Sequence, residues 1–197
     1  MHSRWLWAFI IMFILATGQV WAGTPTGVSG LINIPNTSTL PMDLMEASIH
    51  MQGGQAFISI SVAVVQQVEV GAFTTNRYGP LNITVKGVVV PESEDMPGIA
   101  VGIDGAATYI VMSRRLQNAR GYLGVGGRFG GMFGGISMEL PQVEAAVGKP
   151  VTTLIMEHDG KSINFGARVA FANNVTVDAA LINMEQIMVG VTLQTLF

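Results

Sequence analysis

The stretch Met45-Glu-Ala-Ser-Ile-His-Met-Gln52-Gly-Gly54, followed by Phe57-Ile-Ser-Ile-Ser-Val-Ala-Val64, decides the fold. In its first half Met45, Ala47, Ile49 and Met51 alternate with Glu46, Ser48, His50 and Gln52. A period of two is the spacing of a strand, whose successive side chains point to opposite faces, so this segment has one dry and one wet side. Gly53-Gly54 suits a tight hairpin turn. Beyond it Ile58, Ile60, Val62 and Val64 resume the alternation against Phe57, Ser59, Ser61 and Ala63.

The pattern continues outward from there. Val68 to Thr75 alternates up to the turn residues Asn76 to Pro80, and Leu81 to Val89 alternates up to Pro91-Glu-Ser-Glu-Asp-Met-Pro97, an acidic, solvated loop. Further strands are predicted at 98–104, 107–115, 120–127, 134–140, 151–158, 162–171, 175–182 and 186–196. Between Gly121 and Gly135 glycine is too dense for side chains to define a face, and 142–149 is the one candidate for a helical turn or long loop. Connections this short force antiparallel neighbours, and a meander leaves two edges that must be paired or covered. The expected fold is therefore all-β: an antiparallel up-and-down meander of about 10–12 strands closed into a barrel. No linker divides residues 23–197, which read as one domain.

Composition agrees. The 197 residues are 49% hydrophobic and only 12% charged, with a mean hydropathy of +0.46, whereas ordinary soluble domains carry about 25% charged residues. Such a chain either hides most of its surface or places it in lipid, and it is not disordered. With no cysteine, a disulfide scaffold, a thiolate metal site and a lipid-modified N-terminal cysteine are all excluded. The 10 Lys+Arg against 13 Asp+Glu give no electrostatic footprint for nucleic acid.

Residues 1–22 have the pattern of an export signal. Arg4 precedes an apolar run from Trp5 to Ala16 that is too short to span a bilayer, and Val20-Trp21-Ala22 has the small-residue spacing of a cleavage site before Gly23; the alternative is an uncleaved anchor, for which Trp5 to Ala22 could just span if the Gly18-Gln19 break were tolerated. Removal of the signal takes away Arg4 and no acid, leaving 9 Lys+Arg against 13 acids, a net charge of −4. After residue 22, Gly, Pro, Asp or Arg interrupts every apolar run before helix-spanning length.

At the other terminus the last residue is aromatic, Phe197, and counting back by twos gives Thr195, Leu193, Val191, Val189 and Ile187. This resembles the terminal-strand signal of bacterial outer-membrane barrels, with Phe197, Leu193 and Val191 as its elements and the barrel insertion machinery as the partner that reads it.

Three further stretches resemble the YjbH-like family of outer-membrane β-barrels, associated with exopolysaccharide production and export. Gly27-Val-Ser-Gly30-Leu-Ile-Asn-Ile-Pro35-Asn is similar to the family's opening motif. Ile99-Ala-Val-Gly-Ile-Asp104 through Tyr109 to Arg115-Leu resembles its paired central strands, and Glu157-His-Asp159-Gly160 through Asn164 to Arg168 resembles its acidic hairpin. The matches come in the family's order and cover most of residues 27–197. The chain is far shorter than the long members, so it corresponds to a single small barrel. The resemblance implies an outer-membrane location, contact with outer-membrane lipid, and work with polysaccharide or its export proteins.

The most polar constellation is Glu157, Asp159, Asn164 and Arg168. Asp159-Gly160 suits a tight turn, which would set Glu157 opposite residues just beyond it. Two readings apply: a lumenal acid and base network that binds sugar hydroxyls or sets ion preference, or, preferred here, a structural ion pair filling a narrow barrel. In either case a charge on the lipid side costs about 2–4 kcal/mol at mid-bilayer, so these residues should point inward or lie at the rim. Adjacent Arg114 and Arg115 must face opposite ways, the outward one at a membrane edge. His50 and His158 have no third ligand at metal spacing, and Gly124 to Gly131 carries Phe129 where a dinucleotide fingerprint needs glycine. No nucleophile elbow is present, so no cofactor or catalytic residue is expected. Few charges remain to line a wide pore, and the small side chains suggest a narrow or plugged lumen. The reading is a non-enzymatic outer-membrane barrel with a role in exopolysaccharide secretion or envelope biogenesis. The alternative is a soluble exported β-barrel binding a lipid or glycan, with an outer-membrane hydrolase acting through Glu157 or Asp159 as a third option. The apolar face of the alternation separates the first two, and in 151–158 both faces are apolar.

Overall fold

The structure, a computed structural model, describes residues 23–76, 79–141, 150–171 and 174–196. The expected export signal, the candidate helical turn at 142–149 and Phe197 lie outside the described residues. Twelve antiparallel strands form a closed barrel: β1 (Leu44–Gln52), β2 (Gln55–Val65), β3 (Val68–Thr75), β4 (Leu81–Val90), β5 (Gly98–Asp104), β6 (Ala107–Leu116), β7 (Ala119–Gly126), β8 (Gly131–Glu139), β9 (Val151–His158), β10 (Ile163–Phe171), β11 (Val175–Ile182) and β12 (Gln186–Leu196). Each strand pairs with its neighbours in sequence. The ring closes where β1 meets β12, with Leu44 opposite Leu196 and Gln52 opposite Met188. The predicted all-β meander closed into a barrel is the fold found.

Turn chemistry sets the register. Gly53 and Gly54 both have positive φ, +55° and +80°, the two left-handed positions of the hairpin turn that joins β1 to β2. The glycine-dense stretch divides into β7, a 3-10 turn at Gly127–Phe129 and β8, which starts at Gly131, three residues before the predicted start at 134. A Cβ on Gly124 would come within 2.2 Å of the Phe133 ring. Here glycine makes room for a large inward neighbour, so the wall is defined by what packs on it.

The two faces of the wall differ in kind. On β1, Glu46, Ser48 and His50 point inward and are buried, while Ile49 and Met51 point outward and are exposed. On β12, Met188, Gly190, Thr192 and Gln194 are inward, and Val189, Val191 and Leu193 outward. The same division runs round the barrel, through Ile58 and Ile60, Ile110 and Met112, Leu123 and Val125, and Leu154 and Met156. Among the described strand residues, the outward phase carries only one Lys, Arg, Asp or Glu, Arg114, close to the end of β6; His158, also outward, ends β9.

The interior is filled by the chain's own residues 23–40, which precede β1 and are almost all buried. Leu31, Ile32 and Ile34 pack against Val111, Phe129, Phe133, Ile155, Ile182 and Met188 of the wall and its turns. This explains why both faces of 151–158 are apolar. Leu154 and Met156 face outward, while inward Ile155 belongs to a patch that receives the apolar part of the internal segment.

Candidate functional site

The internal segment folds on itself by two reversals, marked by bridges between Gly23 and Ser29 and between Gly30 and Pro35. Thr24 N–H donates to the Val28 carbonyl at 2.7 Å and Leu31 N–H to the Ile34 carbonyl at 2.9 Å. Gly27 sits at φ +75°, and its carbonyl oxygen lies where a Cβ on Gly71 of the wall would be 2.4 Å away, so the two glycines allow close contact between segment and wall. Most of the remaining backbone groups of this segment cannot pair with each other, and inside a barrel they cannot all reach water. They must therefore be satisfied by wall side chains.

Four strands supply those side chains. Glu69 on β3 accepts from Ser29 N–H at 2.7 Å, Ser29 Oγ at 2.5 Å and Leu40 N–H at 3.0 Å. Lys86, directly opposite Glu69 on β4, lies 3.7 Å from its carboxylate and donates to the Ser29 carbonyl at 2.7 Å and to Asn36 Oδ1 at 3.1 Å. Glu157 on β9 accepts the N–H groups of Ile32, Asn33 and Ile34 at 3.0, 2.8 and 3.4 Å. Arg168 on β10 donates to the carbonyls of Gly30 and Leu31, both at 2.8 Å, and to Asp178 on β11 at 2.7 Å. Nearer the ends, Arg128 and Asp104 meet Thr26, and Thr37 shares a 2.5 Å hydrogen bond with Ser113.

The polar constellation predicted from sequence is thus divided into two groups. Glu157 and Asn164 are opposite each other in the β9–β10 register, with Asn164 Nδ2 donating to Glu157 at 3.0 Å and to Asp159 at 3.0 Å. Asp159 lies in the turn at the rim, where it accepts from Ser162 and Lys161 N–H and from the Asn33 side chain. Partial burial pushes its carboxyl upward, but these hydrogen bonds outweigh it and hold it below the ordinary aspartate value. Arg168 stands apart from that group, lying opposite Thr153 and pairing with Asp178, whose other oxygen is 3.5 Å from His50 Nε2. Glu157, Asn164 and Arg168 point inward and Asp159 lies at the rim, so no member of the set faces outward. Arg114 and Arg115 diverge; Arg114 donates to the Glu94 carbonyl at 2.6 Å, and Arg115 borders the lumen mouth. Val191 and Leu193 of the terminal-strand signal are outward and exposed. Among the described residues no group of His, Asp and Glu is placed to hold a metal ion.

Sequence reasoning missed Glu46, Glu69, Lys86 and Asp178 as members of this network. All lie on the same phase of their strands as polar or small residues, and an ionisable group inside a strand with an apolar opposite face has only the lumen to point into. That signal was available. The internal docking of Gly23 to Leu40 was not, because the segment has no periodicity of its own and its conformation is dictated by the wall.

Between segment and wall a cavity of about 350 Å³ remains near the β6–β7 turn, lined among others by Asn36, Ser38, Arg120, Tyr122, Ser137 and Arg168. The fold therefore defines a class: a closed, up-and-down, 12-stranded β-barrel whose polar lumen is occupied by its own N-terminal segment. Comparison with known protein families finds no model that matches the chain, and comparison with curated proteins finds no match either.

Proposed function

We propose that this chain is an outer-membrane β-barrel protein, closed by its own N-terminal segment, with a non-enzymatic role in exopolysaccharide secretion or envelope biogenesis. The observation that carries the membrane reading is the outward face: a belt of exposed Ile, Val, Leu, Met and Phe round the barrel, with Arg114 and His158 confined to strand ends. Soluble monomers rarely expose apolar patches beyond about 300–600 Å², and a belt that encircles the barrel suits a lipid surround. The strands, 7–11 residues long, approach the roughly 9–11 that a tilted membrane strand uses. A soluble lipid carrier would have the opposite arrangement, apolar inside and polar outside.

The proposed role in polysaccharide export rests on the resemblance to the YjbH-like family, and the three stretches that carry it meet in space. The first, Gly27 to Asn36, is inside the barrel; the third grips it through Glu157 and Arg168; the second lines its pocket with Ala100, Tyr109 and Val111. In this reading the polar network holds the plug and performs no catalysis.

Cell fractionation tests the membrane reading. The protein is expected in the outer-membrane pool, resistant to carbonate extraction, with gel mobility that changes on heating. Release into the soluble periplasm contradicts it. Loss of secreted polysaccharide on deletion of the gene, restored by the intact chain, tests the role.

A further inference from the structure

The buried acids of the lumen are compensated in two ways, with one exception. Glu69 is paired with Lys86, Asp104 with Arg128, and Asp178 with Arg168 and His50. Glu157 has no cation but accepts three backbone N–H groups and the Asn164 amide. Glu46, only 2% exposed, has neither. Among the described residues it forms no ion pair, Arg168 acting on it only from beyond ion-pair distance, and it accepts from Gln194 Nε2 at 3.0 Å with Gly23 lying beside it. A buried carboxylate with so few donors is poorly compensated unless a positive charge is near.

The Gly23 nitrogen is where that charge would arise. Gly23 is buried in the lumen beside Glu46, so close that a Cβ on it would come within 2.4 Å of Glu46 Oε1. In the sequence it directly follows Val20-Trp21-Ala22, the small-residue pattern of a leader cleavage site. We propose that Gly23 is the mature N-terminus and that its α-ammonium is the counter-charge of Glu46, so that processing completes the lumenal set of ions and fixes the plug. The covalent step is hydrolysis of the Ala22–Gly23 peptide bond by a leader peptidase. The C–N bond breaks and the hydroxyl of water goes to the Ala22 carbonyl carbon, leaving a carboxylate. The Gly23 amine takes up a proton. An uncharged amide with one N–H becomes an ammonium with three donors, placed against the lumenal acid that has neither an ion pair nor a set of backbone donors. Glycine suits the position, since a side chain there would displace the carboxylate from the place it now holds.

The proposal rests on the export reading of residues 1–22 and is independent of the polysaccharide role. The test uses protein expressed with its own leader and purified from outer membranes. Intact-mass and N-terminal sequencing are expected to show Gly23 first. With an amine-reactive reagent near neutral pH, the α-amine of the folded protein is expected to label at least about tenfold more slowly than in the heat-unfolded protein, the protection being that of a group exposed only by local opening. Glu46→Gln is expected to remove most of that protection. A second variant, with one glycine inserted between Ala22 and Gly23, keeps Glu46 but displaces the new terminus and is also expected to label fast. A mature chain beginning elsewhere overturns the proposal, as does an α-amine that labels at the same rate folded and unfolded, or equally in wild type and both variants. Heat-dependent mobility and carbonate resistance, read on the same samples, report separately on the membrane reading.

Discussion

Glu69 and Glu157 hold the same internal segment with the same functional group, one from each side of the lumen, and they differ in how their charge is compensated. Glu69 has a cation, Lys86, opposite it, and the pair together satisfy both donors and acceptors of the segment around Ser29. Glu157 is held by dipoles alone, three consecutive backbone N–H groups and one side-chain amide. Three N–H groups converging on one carboxylate form an anion-binding concavity of the kind backbone turns make. The plug is thus both clamped by fixed ions and shaped to receive one. Loss of Glu69 leaves a buried ammonium without its ion-pair partner, whereas loss of the Glu157 charge leaves no orphan ion.

The largest effect should therefore come from Glu69→Ala. Lys86, fully buried, would be left uncompensated at a cost of about 3–5 kcal/mol, read as early protease cleavage within residues 23–40 and a lower temperature for the mobility shift. Replacing both Glu69 and Lys86 with Leu should recover part of that loss, since removing a buried pair together is far less costly than removing one member. Equal damage from the single and double variants would break the comparison. Glu157→Gln should cost about 1.5–3 kcal/mol, the range for hydrogen bonds to a charged group, with the plug loosened at Ile32 to Ile34 rather than at Ser29; cleavage sites mapped by mass spectrometry distinguish the two. Asn164→Ala should cost about 0.5–1.5 kcal/mol in the same assay.

The smallest effect concerns pH. Asp159 is held below its ordinary value in the folded protein, so its stabilisation is complete above the unfolded aspartate value, flat through neutrality, and lost as pH falls through the depressed folded value. Asp159→Asn should lower plug protection by a small, constant amount near neutral pH and converge on wild type in acid, so that the acid limb of its profile is flattened. Equal protection of variant and wild type near neutrality, or an acid limb unchanged in the variant, would contradict the assignment.

Much of the wall was legible because a strand writes its environment at period two. Met45 to Gln52 and Ile187 to Leu193 each show their outward apolar and inward faces directly. Gly121 to Gly135 was not legible, since its glycines answer to Phe133, Phe129 and Tyr109, partners that only the closed barrel brings near. Within the site, a tight turn at Asp159-Gly160 would set Glu157 opposite residues just beyond it with Asn164 farther down; the connection instead runs through residues 159–162, which brings Glu157 across from Asn164 itself. Arg168 belongs to a different group, because its carboxylate partner, Asp178, comes from the following strand. Hardest to read was the plug, whose Thr, Pro, Gly and Ser residues resemble a linker until the wall that binds them is assembled.

In the proposed arrangement a lipid-facing wall encloses a charged lumen that residues 23–40 close. Ion conductance across a planar lipid bilayer tests it most directly, comparing the intact protein with a variant lacking 23–40 that still shows heat-dependent mobility. The intact barrel is expected to be closed and the deletion variant to conduct through a pore lined by Glu46, Glu69, Lys86, Glu157 and Arg168. An intact protein that already conducts as well as the variant, or a folded deletion variant that stays silent, would contradict it.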